Sequence, residues 1–463
     1  MRGVAVWIAL SAGCYLSHAR PGGTPDAASV EDAGVPFDAG PEAGPIEDAG
    51  PPPDAAPVVT ETGTPIVEWE VAVATSARSL SVAEAEVTVT GDGSAVVAWI
   101  TDDGALAESR IDVATLDADG NVSRRRGEIY GGRLVDFDPA ACTTPGNVVV
   151  LVAGCYDYDR YDYYSGGPTD GHLCATRSID GGRTFDDWTE IDPPLEPIPE
   201  GRLYDRPWIA CASDGTVWMT VSRIDGDVFY SYDPVPQVIL LTASEDEGES
   251  WHEPVEVGGV EMVGEWTPGV GASSRSDVVI GLSDLEEERI YTTRADGSSW
   301  PPTIGTPVLT VDGDSFPVFA TTPSGATEMA GWRGVLAAAP DRGGAFVADG
   351  FLGDLVPTAG VDVACGDLAR REDCLWAAWL QGSWSALEWS VLVSRRCGAD
   401  PFPAPLVRPD APFSGTPHVY YGGTWDVWFG HFIGVSTAPD GTARVAWVDT
   451  RDGANTVWVA KLR

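Results

Sequence analysis

The stretch that decides the fold reads Ser178-Ile179-Asp180-Gly181-Gly182-Arg183-Thr184-Phe185. Its pattern is Ser-x-Asp-x-Gly-x-Thr followed by an aromatic residue. The Asp carboxylate can accept hydrogen bonds from the backbone and from hydroxyl groups, and Gly permits the positive φ of a tight corner. The aromatic ring can then pack between neighbouring sheets. We therefore expect a folded corner that joins two β-strands here.

The same pattern recurs along the chain. Ser244-Glu245-Asp246-Glu247-Gly248-Glu249-Ser250-Trp251 is a second full copy, with Ser in place of Thr. Eroded copies keep Asp341, Gly343 and Phe346 in one place, Gly297, Ser299 and Trp300 in another, and little beyond Ser394 and Gly398 in a third. The structural residues of the corners are Ser178, Asp180, Gly182, Phe185, Ser244, Asp246, Gly248, Trp251, Asp341 and Gly343.

A second repeat runs in register with the first from residue 64 onwards. Each unit has an apolar strand, a tight turn and a strand rich in Val and Trp, and the units recur at intervals of roughly fifty to seventy residues. The clearest turns lie at 91–93, 213–215 and 439–441. The 54 Gly, 36 Pro and 18 Trp suit many short strands and turns better than helices. The count gives seven units.

The two ends of the repeat region complement each other. The last unit stops after Thr456-Val457-Trp458-Val459-Ala460-Lys461, one strand short of four, whereas 67–73 is a strand that precedes the first unit. Pairing the two closes a ring and removes an exposed sheet edge. The sequence therefore predicts an all-β, seven-bladed β-propeller closed by an N-terminal strand. Six blades are the alternative, if the unit at Ser324 is an insertion.

These repeats resemble those of the Asp-box (BNR repeat) superfamily of sialidase-like β-propellers, over residues 64–463. The resemblance implies that the boxes are structural and lie between the third and fourth strands, on the face opposite the usual binding mouth. It also implies, for a sialidase, three arginines on the substrate carboxylate, a Tyr–Glu pair and an Asp acid. The first unit lacks the expected Arg-Ile-Pro-type motif, and the nearest likeness, Asp205-Arg206-Pro207-Trp208, lies in the third. The resemblance therefore indicates architecture more strongly than activity.

Aromatic and acidic residues concentrate in the segments that should connect blades and join second to third strands, all on one face. Aromatic rings stack on the C–H faces of sugars, and carboxylates accept hydroxyl protons. Candidate ligand-binding residues are Tyr158, Tyr161, Tyr163, Tyr204, Trp208, Tyr230, Trp266, Trp425, Trp428 and His431. Glycoside hydrolysis needs a pair of carboxyl groups or a Tyr–Glu pair. Candidate catalytic residues are Asp205, Arg206, Glu265 and Asp426.

The net charge of the chain and its metal-binding residue types restrict the classes of ligand and partner that we expect. Seventy acidic residues face 28 basic ones, a formal net charge of −42, which repels nucleic acid and anionic lipid headgroups. No two of the five His form a zinc-like pair, so we expect no required cofactor and no zinc. The oxygen-rich loops leave calcium as an alternative. We expect a monomer.

The N-terminus predicts export. Residues 1–19 read as a signal peptide, with either a lipobox-like Leu10-Ser11-Ala12-Gly13-Cys14 that lipidates Cys14 or cleavage after Ala19. Residues 20–63 repeat an Asp-Ala-Gly-Pro theme without apolar periodicity, as expected of a disordered acidic linker. A linker beside a lipid anchor favours a cell-envelope protein at the outer surface or in the periplasm; the alternative is a secreted one.

The other seven cysteines fit an exported protein. We expect disulfides Cys155–Cys174, Cys365–Cys374 and Cys142–Cys211, which leave Cys397 free. Cys374–Cys397 is the alternative to Cys365–Cys374.

The sequence thus predicts a surface module that binds a glycan or an extracellular protein. The alternatives are a sialidase-like glycoside hydrolase of the exo-α-sialidase class, or a lyase on the same fold, and a structural envelope protein. Three convergent arginines at the central mouth favour the enzyme, whereas an aromatic floor without them favours recognition.

Overall fold

A computed structural model describes most of the chain from residue 62 onwards. The described residues are 62–75, 81–102, 110–128, 133–157, 161–162, 167–168, 171–191, 202–225, 237–258, 266–284, 287–314, 316–331, 334–342, 344–352, 362–371, 373–383, 386, 388–414 and 433–463. Within these ranges, no helix has the length and apolar character needed to span a membrane. The signal peptide, Cys14 and nearly all of the linker predicted from the sequence lie outside them.

The fold is all β-strand. The first half of the chain contains β1 (Val67–Thr75), β2 (Ser81–Val89), β3 (Ala95–Asp102), β4 (Arg110–Leu116), β5 (Val122–Glu128), β6 (Arg133–Thr143), β7 (Val149–Asp157), β8 (Tyr161–Asp162), β9 (Gly167–Pro168), β10 (Gly171–Ser178), β11 (Thr189–Glu190), β12 (Arg202–Cys211), β13 (Val217–Asp225), β14 (Gln237–Ser244) and β15 (Val255–Glu256). The second half contains β16 (Trp266–Ser274), β17 (Asp277–Asp284), β18 (Arg289–Asp296), β19 (Thr303–Ile304), β20 (Val308–Asp312), β21 (Val318–Thr321), β22 (Thr327–Ala330), β23 (Val335–Ala339), β24 (Val347–Phe351), β25 (Asp362–Arg371), β26 (Cys374–Ser383), β27 (Glu388–Cys397), β28 (Leu406–Ser414), β29 (Gly434–Thr437), β30 (Ala443–Asp449) and β31 (Thr456–Leu462).

Seven antiparallel sheets surround one axis, as predicted. The blades are, in order, β2–β5, then β6, β7, β10 and β11, then β12–β15, β16–β20, β21–β24, β25–β28, and finally β29–β31 with β1. The innermost strand of each blade contacts that of the next, and β29 contacts β2 to complete the circle. The structure is a seven-bladed β-propeller, and the six-bladed alternative is wrong because the unit at Ser324 forms a blade of its own.

The antiparallel order defines two faces. The turns between first and second strands and the connections between third and fourth strands lie on one, here named the turn face. The connections between blades and between second and third strands lie on the opposite one, the mouth face. Most of the predicted binding residues lie outside the described ranges.

The N-terminal strand closes the ring, as predicted. β1 pairs antiparallel with β31, from Val67 opposite Leu462 to Thr75 opposite Thr456. The Trp69 indole N–H donates to the carbonyl of Ala118 in blade 1 at 3.0 Å. The first strand therefore completes blade 7 and also ties it to blade 1.

The two full motif copies form corners on the turn face, between β10 and β11 and between β14 and β15. In the first, Asp180 accepts hydrogen bonds from the hydroxyls of Ser178 (2.7 Å) and Thr184 (2.6 Å) and from the backbone N–H of Arg183. Burial acts in the opposite direction, but these hydrogen bonds lower the pKa of Asp180. In the second, Asp246 is bound in the same way by Ser244 and Ser250.

The corners also join neighbouring blades. Gly182 has φ +85°, and a Cβ there would lie 2.3 Å from Val96 Cγ2 in blade 1. Gly248 has φ +88°, and its Cβ would lie 3.0 Å from Val150 Cγ2 in blade 2. The aromatic residues Phe185 and Trp251 pack against the apolar clusters between the same pairs of blades. In the eroded copy at 341–346, the Asp341 carbonyl accepts a hydrogen bond from the backbone N–H of Gly344. Gly343 is outside the described residues.

Three disulfides are present among the described residues. Cys155–Cys174 and Cys142–Cys211 are the pairs that the sequence predicts, and the second joins the inner strands of blades 2 and 3.

The third disulfide corrects a prediction. Cys374 pairs with Cys397 and not with Cys365, because Cys374 and Cys397 lie directly opposite each other in β26 and β27, with their Cα atoms 4.0 Å apart. On β25 the residue opposite Cys374 is Arg371. Cys365 lies six residues further along that strand, about 20 Å away.

Candidate functional site

Four blades carry a residue with an unusual backbone conformation at the same place, within the inner strand or, in blade 5, two residues before it. Glu84, Asp138, Arg206 and Phe316 have φ between 40° and 54° and belong to blades 1, 2, 3 and 5. In each of these blades, a backbone carbonyl accepts the hydrogen bond that closes the turn after the inner strand, and the unusual residue lies six positions before it. The residues that supply this carbonyl are, by blade, Thr90, Thr144, Ala212 and Thr322. In β2, β6 and β12 the residue sits within a break of the strand register. We name these four residues the channel ring.

The channel ring residues meet at the axis. The Arg206 guanidinium lies 4.4 Å from the centre of the Phe316 ring, a contact from blade 3 to blade 5 that crosses the channel in front of blade 4. The Arg206 backbone N–H donates to Asp138 at 3.1 Å, and its Nε lies 3.6 Å from the Asp205 carboxylate. The side chains of Glu84 and Asp138 are hydrogen bonded. Three blades thus bring carboxyl groups together around one guanidinium.

Burial and the neighbouring negative charges favour the protonated form of the Glu84 carboxyl group. Glu84 and Arg206 are each 2% exposed. Burial raises the pKa of Glu84 well above 4.5, and the negative charges and hydrogen bond of Asp138, together with Asp205, raise it further. Arg206 acts in the opposite direction. A carboxyl group that holds a proton next to other carboxylates is the arrangement on which acid–base catalysis depends.

Glu84, Asp138 and Arg206 lie about midway along their inner strands, and Phe316 lies just before β21. A cavity begins on the turn-face side of these residues. The cavity has a volume of about 770 Å³ and is lined by the inner strands of all seven blades. Trp208 lines it and packs across the axis against the apolar cluster of blades 5 and 6. Within the described residues, Trp208 and Phe319 are the aromatic residues that line this cavity. Phe316 and Arg206 belong to the channel ring at its inner end.

The structure distributes the predicted site residues unevenly. Asp205, Arg206 and Trp208 reach the channel, whereas Tyr204 and Trp266 are 2% exposed and belong to the apolar clusters of blades 2–3 and 3–4. The Trp266 backbone N–H donates to Gln237 Oε1 at 2.6 Å, which anchors the start of blade 4. For Tyr161 the structure describes only the backbone, in β8. The remaining candidates lie outside the described residues: Tyr158, Tyr163, Tyr230, Glu265, Trp425, Asp426, Trp428 and His431.

Sequence reasoning missed Glu84 and Asp138. A signal was present, because both stand six residues before a recognisable turn, as Arg206 does. The spacing alone does not identify the residue that adopts positive φ, and only the closed ring brings the three side chains together. Among the described residues, no group of three or more His, Cys, Asp or Glu side chains is arranged to hold a metal ion.

Comparison with known proteins adds distant structural likeness. No family model matches the chain, and no curated protein matches it in sequence. A Dyadobacter fermentans protein of unknown function is similar at 12% identity and a TM-score of 0.49, over 86% of this chain and 99% of that one. A Hadza microbial sialidase is similar at 12% identity and 0.46, over 88% and 97%. A Penicillium chrysogenum α-L-arabinanase complexed with arabinobiose is similar at 12% identity and 0.44, over 88% and 98%. At these identities the neighbours' activities do not transfer to this chain.

Proposed function

We propose that this protein is an exported, lipid-anchored propeller that binds a neutral glycan at the mouth of its central channel. The observation that carries the proposal is the channel ring, where Glu84, Asp138 and Arg206 converge on the axis with Asp205 beside them. Carboxylates and a guanidinium bind sugar hydroxyls, and the ring of Phe316 supplies a surface on which a sugar can stack.

The charge of the site favours a neutral ligand over an anionic one. Among the described residues, Arg206 is the one guanidinium in the channel ring, and several carboxyl groups surround it. A sialic acid carboxylate would enter this environment against the field of a chain with net charge −42. A single arginine among several carboxyl groups, next to the Phe316 ring, therefore supports recognition of a neutral saccharide.

The position of the N-terminal segment supports presentation of the mouth face. Thr62 hydrogen bonds to the backbone of Cys397, and Thr64 to the carbonyl of Ala404, both on the turn face. A tether that joins the propeller there would direct the mouth face away from an anchor at Cys14. Three disulfides are compatible with an extracellular or secreted protein.

A glycan array on the purified full-length protein tests the proposal. We expect binding to neutral glycans, weakened at least tenfold by Asp205→Asn, which keeps the shape of the side chain and removes its charge. Asp410→Asn is the matched control. It removes the same charge from the surface of the protein, because the Asp410 side chain is 91% exposed. Absence of glycan binding, or equal binding by Asp205→Asn and wild type, contradicts the proposal.

A second candidate function, glycoside hydrolysis, is favoured by the raised pKa of Glu84. A protonated Glu84 could donate to a leaving oxygen while Asp138 or Asp205 acts as base or nucleophile. The assay uses neutral model glycosides as the first substrates and sialosides as the comparison substrates. We expect Glu84→Gln to lower the rate at least 100-fold if the enzyme is active, since it removes the acidic proton. A wild-type protein that cleaves none of them ends this candidate.

A further inference from the structure

The channel cavity extends from the channel ring to the turn face. Its wall begins with Glu86, Ala140 and Trp208, each two residues after a channel ring residue, and reaches the turn residues Gly91 and Asn147. The volume of about 770 Å³ lies within the range of pockets that hold small molecules. Because the buried channel ring lies at its inner end, the cavity is open towards the turn face and is distinct from the mouth.

Two carboxyl groups face this cavity at its inner end. Asp367 of blade 6 accepts hydrogen bonds from the backbone N–H groups of Val435 (2.6 Å) and Leu368 (2.8 Å), which hold its side chain in one orientation. Glu86 of blade 1 lines the same wall. Both residues keep part of their surface exposed although they lie deep in the channel. Their exposed surface therefore meets the cavity.

The two carboxyl groups share an electrostatic environment. Burial raises the pKa of Asp367 to about 7, against the effect of its two backbone donors. Burial, followed by the nearby Asp367, raises the pKa of Glu86 well above 4.5. These shifts favour the protonated form of both groups, so a cation that binds between them would displace protons.

The rest of the wall suits a small organic ligand. The hydroxyls of Thr88 and Thr143 hydrogen bond to each other at 2.8 Å on the wall, between apolar stretches of the inner strands. Arg370 and Arg371 also line the cavity. The Arg370 guanidinium is ion-paired with Glu328 of blade 5, and Arg371 is exposed at the turn-face end of β25. Carboxyl groups at the end of a channel with alternating hydroxyl and apolar walls match an ammonium group carried on a hydrocarbon chain.

We propose that the channel cavity is a second ligand site, which takes a small organic amine whose ammonium group lies between Glu86 and Asp367. The net charge of −42 concentrates cations around the protein and favours their entry from the turn face. This site is independent of the glycan site proposed at the mouth, since the channel ring separates the two.

Calorimetric titration of the full-length protein with putrescine and spermidine at pH 7 tests the proposal. We expect saturable binding of one molecule with release of protons, detected as a difference in heat between two buffers of unequal ionisation enthalpy. Asp367→Asn should weaken binding at least tenfold. Glu86→Gln, whose side chain is partly exposed, provides a second variant if Asp367→Asn fails to fold.

The control is again Asp410→Asn, which removes the same charge from the surface. Equal weakening by this control would show that the amine is attracted by net charge alone and would overturn the proposal. Absence of saturable binding would overturn it too. So would tight binding of Ca²⁺ that Asp367→Asn abolishes while amines do not bind, because the site would then hold a metal ion.

Discussion

At the scale of single residues, the channel ring is the costly feature of this molecule. A residue other than glycine in the left-handed region loses about 1–2 kcal/mol, and four such residues occupy equivalent positions around one axis. Three of them, Glu84, Asp138 and Arg206, also bring ionisable groups into the interior. Backbone strain of this kind is concentrated at functional sites. The channel ring is therefore the first place to seek activity.

The corner glycines give a prediction at the same scale. Gly182→Ala should destabilise the protein by about 2–4 kcal/mol, because it adds left-handed strain and a methyl group 2.3 Å from Val96 Cγ2. Urea unfolding followed by tryptophan fluorescence measures the change. Gly453→Ala is the control: its φ is +82° but nothing lies within 4 Å, so it should cost only about 1–2 kcal/mol. Equal losses for the two variants would refute the role of Gly182 in the contact between blades.

At the scale of elements, β1 determines whether the ring is closed. It covers the outer edge of β31, and Trp69 joins blade 7 to blade 1. A chain lacking residues 1–75 should therefore expose a strand edge and lose cooperative unfolding or aggregate. A chain lacking only residues 1–61 should melt like the full-length protein, since β1 remains. Scanning calorimetry distinguishes the two, and a cooperative transition of unchanged midpoint without β1 would be inconsistent with this closure.

The disulfides give a second prediction for elements. Cys142–Cys211 spans 69 residues and joins two blades, whereas Cys374–Cys397 spans 23 residues within one. From loop-closure entropy alone, the first disulfide should stabilise the folded protein by about 1 kcal/mol more than the second. Replacing both cysteines of each pair by Ser and comparing urea midpoints measures this difference. A larger loss for the Cys374–Cys397 pair would contradict the argument.

At the scale of the whole molecule, the buried carboxyl groups make stability depend on pH. The folded-state pKa of Asp367 is raised to about 7, and that of Glu86 is raised well above 4.5, so the folded protein binds more protons than the unfolded chain between about pH 4 and 7. Stability from these groups is present at the acidic end of that window and is lost as the pH rises through it. For Asp367 the loss is about 4 kcal/mol, at about 1.4 kcal/mol per unit of pKa. The raised pKa values of Glu86 and Glu84 add to it in the same direction.

Unfolding free energies at pH 5 and pH 8 test this dependence. We expect the wild type to be more stable at pH 5, and Asp367→Asn to reduce the difference, because the amide does not titrate. Asp312→Asn, on an exposed side chain, should leave the difference unchanged. The interpretation fails if Asp367→Asn retains the full dependence on pH.

What the sequence determined by itself was the architecture. Local patterns specify it: the Ser-x-Asp-x-Gly corners, the strand repeat and the unpaired segment 67–73 each follow from residues close together in the chain, so seven blades and their closure could be predicted. Where two pairings had similar spacing, as for Cys374, only the strand register decided between Cys365 and Cys397. The channel ring and the pair of Glu86 with Asp367 were decided by tertiary structure alone. Their members come from different blades, and nothing local to Glu84 or Asp138 indicates which distant side chains share the axis until the ring is closed.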